Sequence, residues 1–219
     1  MLDCKRMKIG VFDSGKGGLA VAEALAALLP DAEIITTDDH AHVPYGGRPA
    51  EEIIALTTTA IQPLLGASCD VIVIACNTAT TVAIASLRSR YPQQHFVGIE
   101  PMVKPAAAHT KTGRIAVLAT PATLQSQRYA ELKTTWANDV RVVEPHCDNW
   151  ATAIEQAQEA TLPIEETITA LVEQSVDTIV LACTHYHWVK ERIQAAAGRE
   201  VVVLEPSDAI KNRIVDLLG

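Results

Sequence analysis

The sequence predicts an α/β fold of two similar halves, each built on a central parallel sheet. Three observations carry this. Short, β-branched, wholly apolar runs alternate with Ala/Leu-rich stretches of helical period along the chain. The alternation begins again after Gly113. Two of the apolar runs, Val71-Ile-Val-Ile-Ala75 and Thr178-Ile-Val-Leu-Ala182, stop at a cysteine, Cys76 and Cys183, followed by small polar residues. An unbroken apolar run marks a strand covered on both faces. The residue just past its end is delivered to the crevice at the carboxyl edge of the sheet.

In chain order, residues 8–12 read as a strand and 19–29 as a helix ending before Pro30. Residues 33–37 form the next strand. Residues 50–65 read as one helix, with Pro49 suited to its first turn and Pro63 a late kink. A strand over 71–75, a helix over 79–90 and a short strand over 95–98 complete the first half. In the second half, strands are expected at 114–118, 140–143, 178–181 and 201–204, and helices at 123–136, 164–174, 188–197 and 208–218. Strands joined through helices of this length imply parallel pairing with right-handed crossovers. Ile9–Cys76 and Ile115–Cys183 differ in length by a single residue, and strand, cysteine and polar follower recur together, which reads as a duplication. The expected division is residues 1–98 for the first domain and 99–207 for the second. The terminal helix, 208–219, is assigned to pack back on the first.

The 219 residues are enough for real cores, and 48% apolar with 20% charged residues is ordinary for a globular protein. A formal charge of −8 argues against a nucleic-acid partner, because neutralising phosphates needs a basic surface. No apolar run approaches the roughly 20 residues of a spanning helix, and the start leads into a strand and not a signal-peptide core, so no membrane partner and a cytoplasmic location are expected. Five cysteines with no CxxC pair do not read as a disulfide framework or a zinc knuckle.

Four strand exits concentrate residues with chemistry. Asp13-Ser14-Gly15-Lys16-Gly17-Gly18 follows the first strand; its glycines allow a tight turn into a helix start, but it matches neither dinucleotide nor P-loop patterns. Asp39-His40-Ala41-His42-Val43-Pro44-Tyr45-Gly46 contains metal-capable residues without a complete ligand set, and reads as a loop presenting Tyr45 and the Gly46 backbone to a cleft. Thr120 to Ser126 offers hydroxyls suited either to capping a helix or to holding a carboxylate. Cys76-Asn77-Thr78 and Cys183-Thr184-His185 are the most specific. Each thiol is followed by neutral hydrogen-bonding side chains and a helix start, which favours both thiolate and an anionic substrate. Either cysteine alone reads as an inert core residue; the matched pair reads as two acid/base groups serving one substrate. Cys4, Cys69 and Cys147 lack this setting and read as structural or incidental.

Six segments in order resemble the aspartate/glutamate racemase superfamily, and within it the glutamate racemases. They are Ile9-Gly-Val-Phe-Asp-Ser-Gly-x-Gly-Gly-Leu19, Asp39-x-Ala41 through Pro44-Tyr45-Gly46, Ala75-Cys-Asn-Thr-Ala79, Gly98-Ile-Glu-Pro-x-x-Lys-Pro-Ala106, Leu118-Ala-Thr-x-x-Thr123 and Ala182-Cys-Thr-His-Tyr186. The resemblance implies two pseudo-symmetric α/β domains with an interdomain active site and racemisation of glutamate without a cofactor or a metal. It assigns Cys76 to the D-enantiomer and Cys183 to the L-enantiomer, with Asp13 and His185 assisting. It places Ser14, Pro44, Tyr45, Gly46, Asn77, Thr78, Thr120, Thr123 and Thr184 around a small anionic amino acid, with D-glutamate destined for peptidoglycan. A homodimer stays open.

The chain departs from the family pattern at Lys16, where an apolar or small residue is usual, at His42, where arginine is usual, and at His187, where proline is usual. The stretch His146-Cys-Asp-Asn-Trp-Ala-Thr-Ala-Ile-Glu155 replaces a Pro-Leu-Val-Glu-like segment, with Glu155 the counterpart of its carboxylate. The chain ends at Gly219, where family members commonly run on for some tens of residues. These differences leave three readings: a glutamate racemase, a relative acting on aspartate or another amino acid, or a binding or regulatory protein on the same scaffold. The last is raised by the link of some family members to inhibition of DNA gyrase.

Overall fold

The structure, a computed structural model, describes residues 6–218. Cys4 lies outside the described residues. The chain divides into two compact units, one of residues up to Ile99 together with Pro206 onward, the other Glu100–Glu205.

The first unit runs β1 (Lys8–Asp13), α1 (Gly17–Leu28), β2 (Glu33–Asp38), α2 (Ala50–Ala60), α3 (Gln62–Gly66), β3 (Val71–Ile74), α4 (Asn77–Arg90) and β4 (His95–Gly98). The second runs α5 (Val103–His109), β5 (Arg114–Ala119), α6 (Pro121–Leu124), α7 (Gln127–Trp136), β6 (Arg141–Val143), α8 (Trp150–Glu155), α9 (Ile164–Glu173), β7 (Thr178–Ala182), α10 (Lys190–Ala197) and β8 (Val202–Leu204). The last helix, α11 (Ser207–Leu218), belongs to the first unit, where Ile210 and Ile214 pack with Val21, Leu25 and Val97.

Both units carry a four-stranded, all-parallel sheet, in the orders β2-β1-β3-β4 and β6-β5-β7-β8. The registers correspond: Ile9 lies opposite Val71 in one sheet and Ile115 opposite Thr178 in the other. An aspartate marks the start of the third strand in each. The Asp70 carboxylate accepts from Lys8 N at 2.8 Å. The Asp177 carboxylate accepts from Lys111 N at 2.7 Å, from Thr112 N at 2.9 Å and from the Thr110 hydroxyl.

Successive strand side chains point to opposite faces, and both faces are covered. Val11, Val71, Val73 and Val97 enter one cluster of the first unit, while Phe12, Ile72, Ile74 and Phe96 enter another. In the second unit Leu118, Ile179 and Leu181 face one side, and Ile115, Val117 and Val180 the other. Full burial of each such aliphatic side chain contributes about 1.5–3 kcal/mol. This explains why the strands read as unbroken apolar runs.

Several helices differ from the sequence expectation. The helix over 50–65 divides at Ile61, and Pro63 sits in the first turn of α3, where its missing N–H has no intrahelical partner to lose. The helix over 123–136 also divides, because Ser126 caps α7 by accepting from Tyr129 N at 3.2 Å. A 3-10 turn over Thr184–Val189 delays the next helix to Lys190. The helices α5 and α8 fall in stretches for which no element was expected. Among the described residues, no helix is long and apolar enough to cross a membrane.

Candidate active site

Asp13 is the last residue of β1 and is 1% exposed. Its Oδ1 accepts from Gly15 N at 2.8 Å, which closes the turn into α1. Helix α1 packs so tightly against it that a Cβ on Gly18 would stand 2.5 Å from Asp13 Cβ. Only glycine allows that approach. Lys16 precedes the helix and is half-buried.

Cys76 follows β3 and caps α4, its Sγ accepting from Ala79 N at 3.4 Å. Ser14 Oγ lies 3.3 Å from the same sulfur. Burial, then the negative charge of Asp13, pushes the Cys76 thiol up to about 11, against the opposing pull of Ser14 and the Ala79 amide. Asn77 and Thr78 open α4 and are buried. The Asn77 side-chain oxygen is buried and has no hydrogen-bond partner among the described residues.

The segment after β2 turns through a 3-10 helix over His40–His42 to a cis Val43–Pro44 bond, an exposed Pro44, a buried Tyr45 and a half-buried Gly46. The Tyr45 ring packs on Phe12 at 6.5 Å between centroids, in the cluster that contains Cys76. Its hydroxyl donates to Asp39 Oδ2 at 2.7 Å, and His42 Nδ1 meets Asp39 Oδ1 at 2.7 Å. Burial and the bond to Asp39 raise the Tyr45 hydroxyl far above the ordinary phenol range. Asp39, weighed from sequence as a metal ligand, is thus engaged with Tyr45 and His42. Among the described residues, no group of three or more His, Cys, Asp or Glu side chains is arranged to hold a metal ion.

In the second unit, Cys183 follows β7 and is buried with Thr184 and His185. His185 Nδ1 lies 3.8 Å from Cys183 Sγ, and His185 Nε2 lies 2.5 Å from Glu155 Oε2. Glu155 ends α8. That helix is anchored by Trp150, whose ring meets Tyr186 edge-on at 5.7 Å, and by the Tyr186 hydroxyl donating to the Cys147 carbonyl at 3.1 Å. Glu155 therefore stands at His185. At the exit of β5, the Thr120 and Thr123 hydroxyls are 3.2 Å apart. His187 Nδ1 lies 3.8 Å from Glu205 Oε2, and burial pushes the imidazole down.

The structure groups Asp13, Ser14, Cys76, Asn77 and Thr78 at one sheet's carboxyl edge. It places Cys183, Thr184, His185, Thr120 and Thr123 at strand exits of the other. Cys69 and Cys147 lie in the cores, the latter thiol pushed up to about 12 by burial and then Asp148. The residue that sequence reasoning missed is Asp39 as the partner of Tyr45. The signal available was an acid six residues ahead of a buried tyrosine, which is no recognisable spacing on its own.

The profile of the Asp/Glu/Hydantoin racemase family matches residues 19–212. Glutamate racemase of Roseiflexus sp. (strain RS-1) is 37% identical over 225 residues, covering 100% of this chain and 82% of the relative. Glutamate racemase of Pseudomonas aeruginosa (strain UCBPP-PA14) is 40% identical over 215 residues, covering 96% and 81%. Among solved structures, Escherichia coli glutamate racemase in complex with L-glutamate and the activator UDP-MurNAc-Ala aligns with a TM-score of 0.84 at 28% identity, over 97% of this chain and 82% of that one. The Francisella tularensis glutamate racemase in complex with D-glutamate aligns at 0.77 and 26%, over 97% and 81%. The chain belongs to the Asp/Glu/Hydantoin racemase family.

Proposed function

We propose that the protein interconverts D- and L-glutamate at Cys76 and Cys183 without a cofactor, as a cytoplasmic source of D-glutamate for peptidoglycan. The observation that carries the reading is the matched placement of the two thiols. Each stands at the exit of the third strand of its sheet with a buried carboxylate at hand, Asp13 for Cys76 and Glu155, through His185, for Cys183. The bound L- and D-glutamate of the E. coli and F. tularensis relatives support the choice of substrate.

An amino-acid α-hydrogen is a very weak acid, so removal and return must be tightly coupled. In the D-to-L direction the Cys76 thiolate takes the α-proton. The Cys183 thiol then delivers its own proton to the opposite face of the same carbon. The product is L-glutamate, a Cys76 thiol and a Cys183 thiolate; exchange with solvent restores the starting state. Positioned acid/base groups of this kind contribute about 10²–10⁴-fold each. Because its affinity for the proton is high, Cys76 rests as the thiol, ready to donate in the L-to-D direction. As a base it passes that proton to Asp13 first. His185 exchanges a proton with Cys183 while Glu155 steadies the imidazolium, the orienting role a carboxylate plays behind a catalytic histidine. Ser14, Asn77, Thr78, Thr120, Thr123 and Thr184, with the Pro44-Tyr45-Gly46 segment, are proposed to hold the charged ends of the substrate.

The test is NMR-detected exchange of the α-hydrogen in heavy water, with each enantiomer of glutamate and of aspartate supplied separately. Exchange with inversion of glutamate supports the reading. Inversion of aspartate alone would replace the substrate, and no exchange with any of the four would remove the racemase function.

A further inference from the structure

We infer that Thr120 is a positioning residue for Cys183: its hydroxyl donates to the Cys183 sulfur, as the Ser14 hydroxyl meets that of Cys76. The inference deepens the racemase reading above, on which its consequence for turnover rests.

The strand registers carry it. In the first sheet Phe12 lies opposite Ile74, so two residues on, past the strand ends, Ser14 comes opposite Cys76. There Ser14 Oγ lies 3.3 Å from Cys76 Sγ. In the second sheet Leu118 lies opposite Leu181 and Ala119 opposite Ala182, so the next pair is Thr120 and Cys183. Neighbouring strands are about 4.8 Å apart, within reach of a hydroxyl and a thiol turned to one face.

The faces agree as well. Side chains alternate along a strand. Phe12 and Ile74 share the cluster that contains Cys76, and Leu118 and Leu181 share the one that contains Cys183. Ala119 and Ala182 lie in the cluster on the other face. Thr120 and Cys183 both keep extended backbones, so the alternation runs on through them and turns both side chains to the face of Leu118 and Leu181. Each sheet thus brings a hydroxyl to its thiol at the same register position.

Thr120 is the N-cap residue of α6, yet its hydroxyl makes no capping bond. It meets instead Thr123 Oγ1 at 3.2 Å, on a side chain that is fully buried. Each hydroxyl carries one proton. With Thr123 as the donor of that pair, Thr120 gives its own proton to the sulfur, and the bond to Thr123 fixes its rotamer. Such a hydroxyl can still accept from a substrate ammonium group but cannot donate to a carboxylate. A donor to a thiolate favours the ionised form, and the Ser14 hydroxyl pulls the Cys76 thiol down in this way. His185, with Glu155 behind it, and Tyr186, which feels the Cys183 charge, also face Cys183; they remain in every variant below.

The experiment titrates the Cys183 thiol of the full, reduced, substrate-free chain by ultraviolet thiolate absorbance, with the matching Cys183→Ala protein as blank. Thr120→Val removes the hydroxyl and keeps the shape. The thiol should then ionise about one pH unit higher, the scale of one hydrogen bond to a charged group. Thr120→Ser, which keeps the hydroxyl, should titrate like wild type. Thr123→Val, which removes only the group that orients Thr120, should raise the thiol by less. In turnover, kcat/KM for L-glutamate should fall about tenfold in Thr120→Val, and the acid limb of its pH profile should move up with the thiol. A side chain that merely filled space would shift neither titration nor pH profile.

A folded Thr120→Val protein whose thiol titrates as in wild type overturns the inference. So does a rise in KM for glutamate with the thiol unmoved, which gives the hydroxyl to a substrate carboxylate. Should Thr120→Val not fold, Thr120→Ala is read in the same way. Wild-type protein that inverts no glutamate overturns the racemase reading alone, because the thiol titration is made without substrate and still decides the hydrogen bond.

Discussion

Glu155 Oε2 meets His185 Nε2 at 2.5 Å, with both side chains buried. The far ring nitrogen, Nδ1, faces Cys183 Sγ at 3.8 Å. A carboxylate on one side of an imidazole holds the proton on that side and leaves the other nitrogen to exchange one with the thiol. The Cys76 sulfur instead meets the Ser14 hydroxyl and the Ala79 amide, with the charge of Asp13 acting on it. The surroundings of the two thiols are chemically unequal, and their sensitivity to substitution should differ.

Glu155→Gln keeps the shape of the side chain and removes the charge that steadies an imidazolium. The kcat is expected to fall by about 10–100-fold, the usual loss when a group supporting a functional histidine is removed. Steady-state racemisation checks it, with circular dichroism confirming the fold. An unchanged kcat would show that the carboxylate does not act through His185.

Asp13 raises the Cys76 thiol by its charge, second only to burial. Asp13→Asn removes that repulsion, so the thiol should ionise at lower pH than the wild-type value of about 11. Thiolate absorbance against pH, with Cys76→Ala as the blank, reads this directly. The sign is diagnostic: an upward shift would mean that Asp13 stabilises the thiolate. Racemisation should nonetheless fall, since the group proposed to accept the Cys76 proton is lost.

Gly18→Ala should destabilise the first unit. The added Cβ would stand 2.5 Å from Asp13 Cβ, so either α1 or the β1 exit must move. Overpacking of this kind costs about 1–3 kcal/mol. Urea unfolding should show a lower midpoint with an unchanged slope, and activity should drop if it is the β1 exit, and Asp13 with it, that moves.

How far the sequence reveals this arrangement depends on the range over which each feature is encoded. Val71–Ile74 and Thr178–Ala182 are legible because a strand covered on both faces must be apolar at every position. Cys76 and Cys183 stand out because those runs stop at them. Helix α8 is not legible: six residues are too few to be helical on their own, and Trp150 is held by Tyr186, distant in sequence. Glu155 reaches His185 only through that packing. Likewise the break at Ile61 leaves Pro63 at a helix start, where the sequence shows only a proline within a helical pattern. Asp39 was visible as an acid near two histidines, but its bond to Tyr45 depends on the fold of the intervening loop.

Asp177 gives the second unit a defined acid response. Burial alone would raise its carboxyl, but the Thr110 hydroxyl and the Thr112 and Lys111 amides outweigh that and hold it down at about 2. A carboxyl lowered on folding contributes stability that is fully present above its unfolded value of about 3.9. That stability is lost as pH falls through about 2. Asp177→Asn should cost about 1 kcal/mol at neutral pH, the scale of one partly solvated hydrogen-bonded charge. The gap between variant and wild type in chemical unfolding should narrow between about pH 4 and pH 2. A gap that widens on acidification would contradict the assignment.

The most direct measurement of the two-base claim uses single-thiol variants, Cys76→Ser and Cys183→Ser, with D- and L-glutamate supplied in turn. Optical rotation and NMR follow inversion in heavy water. If one thiol removes the α-proton and the other returns one to the opposite face, neither variant interconverts the enantiomers. Substantial inversion by either variant, in folded and reduced protein, would contradict the account.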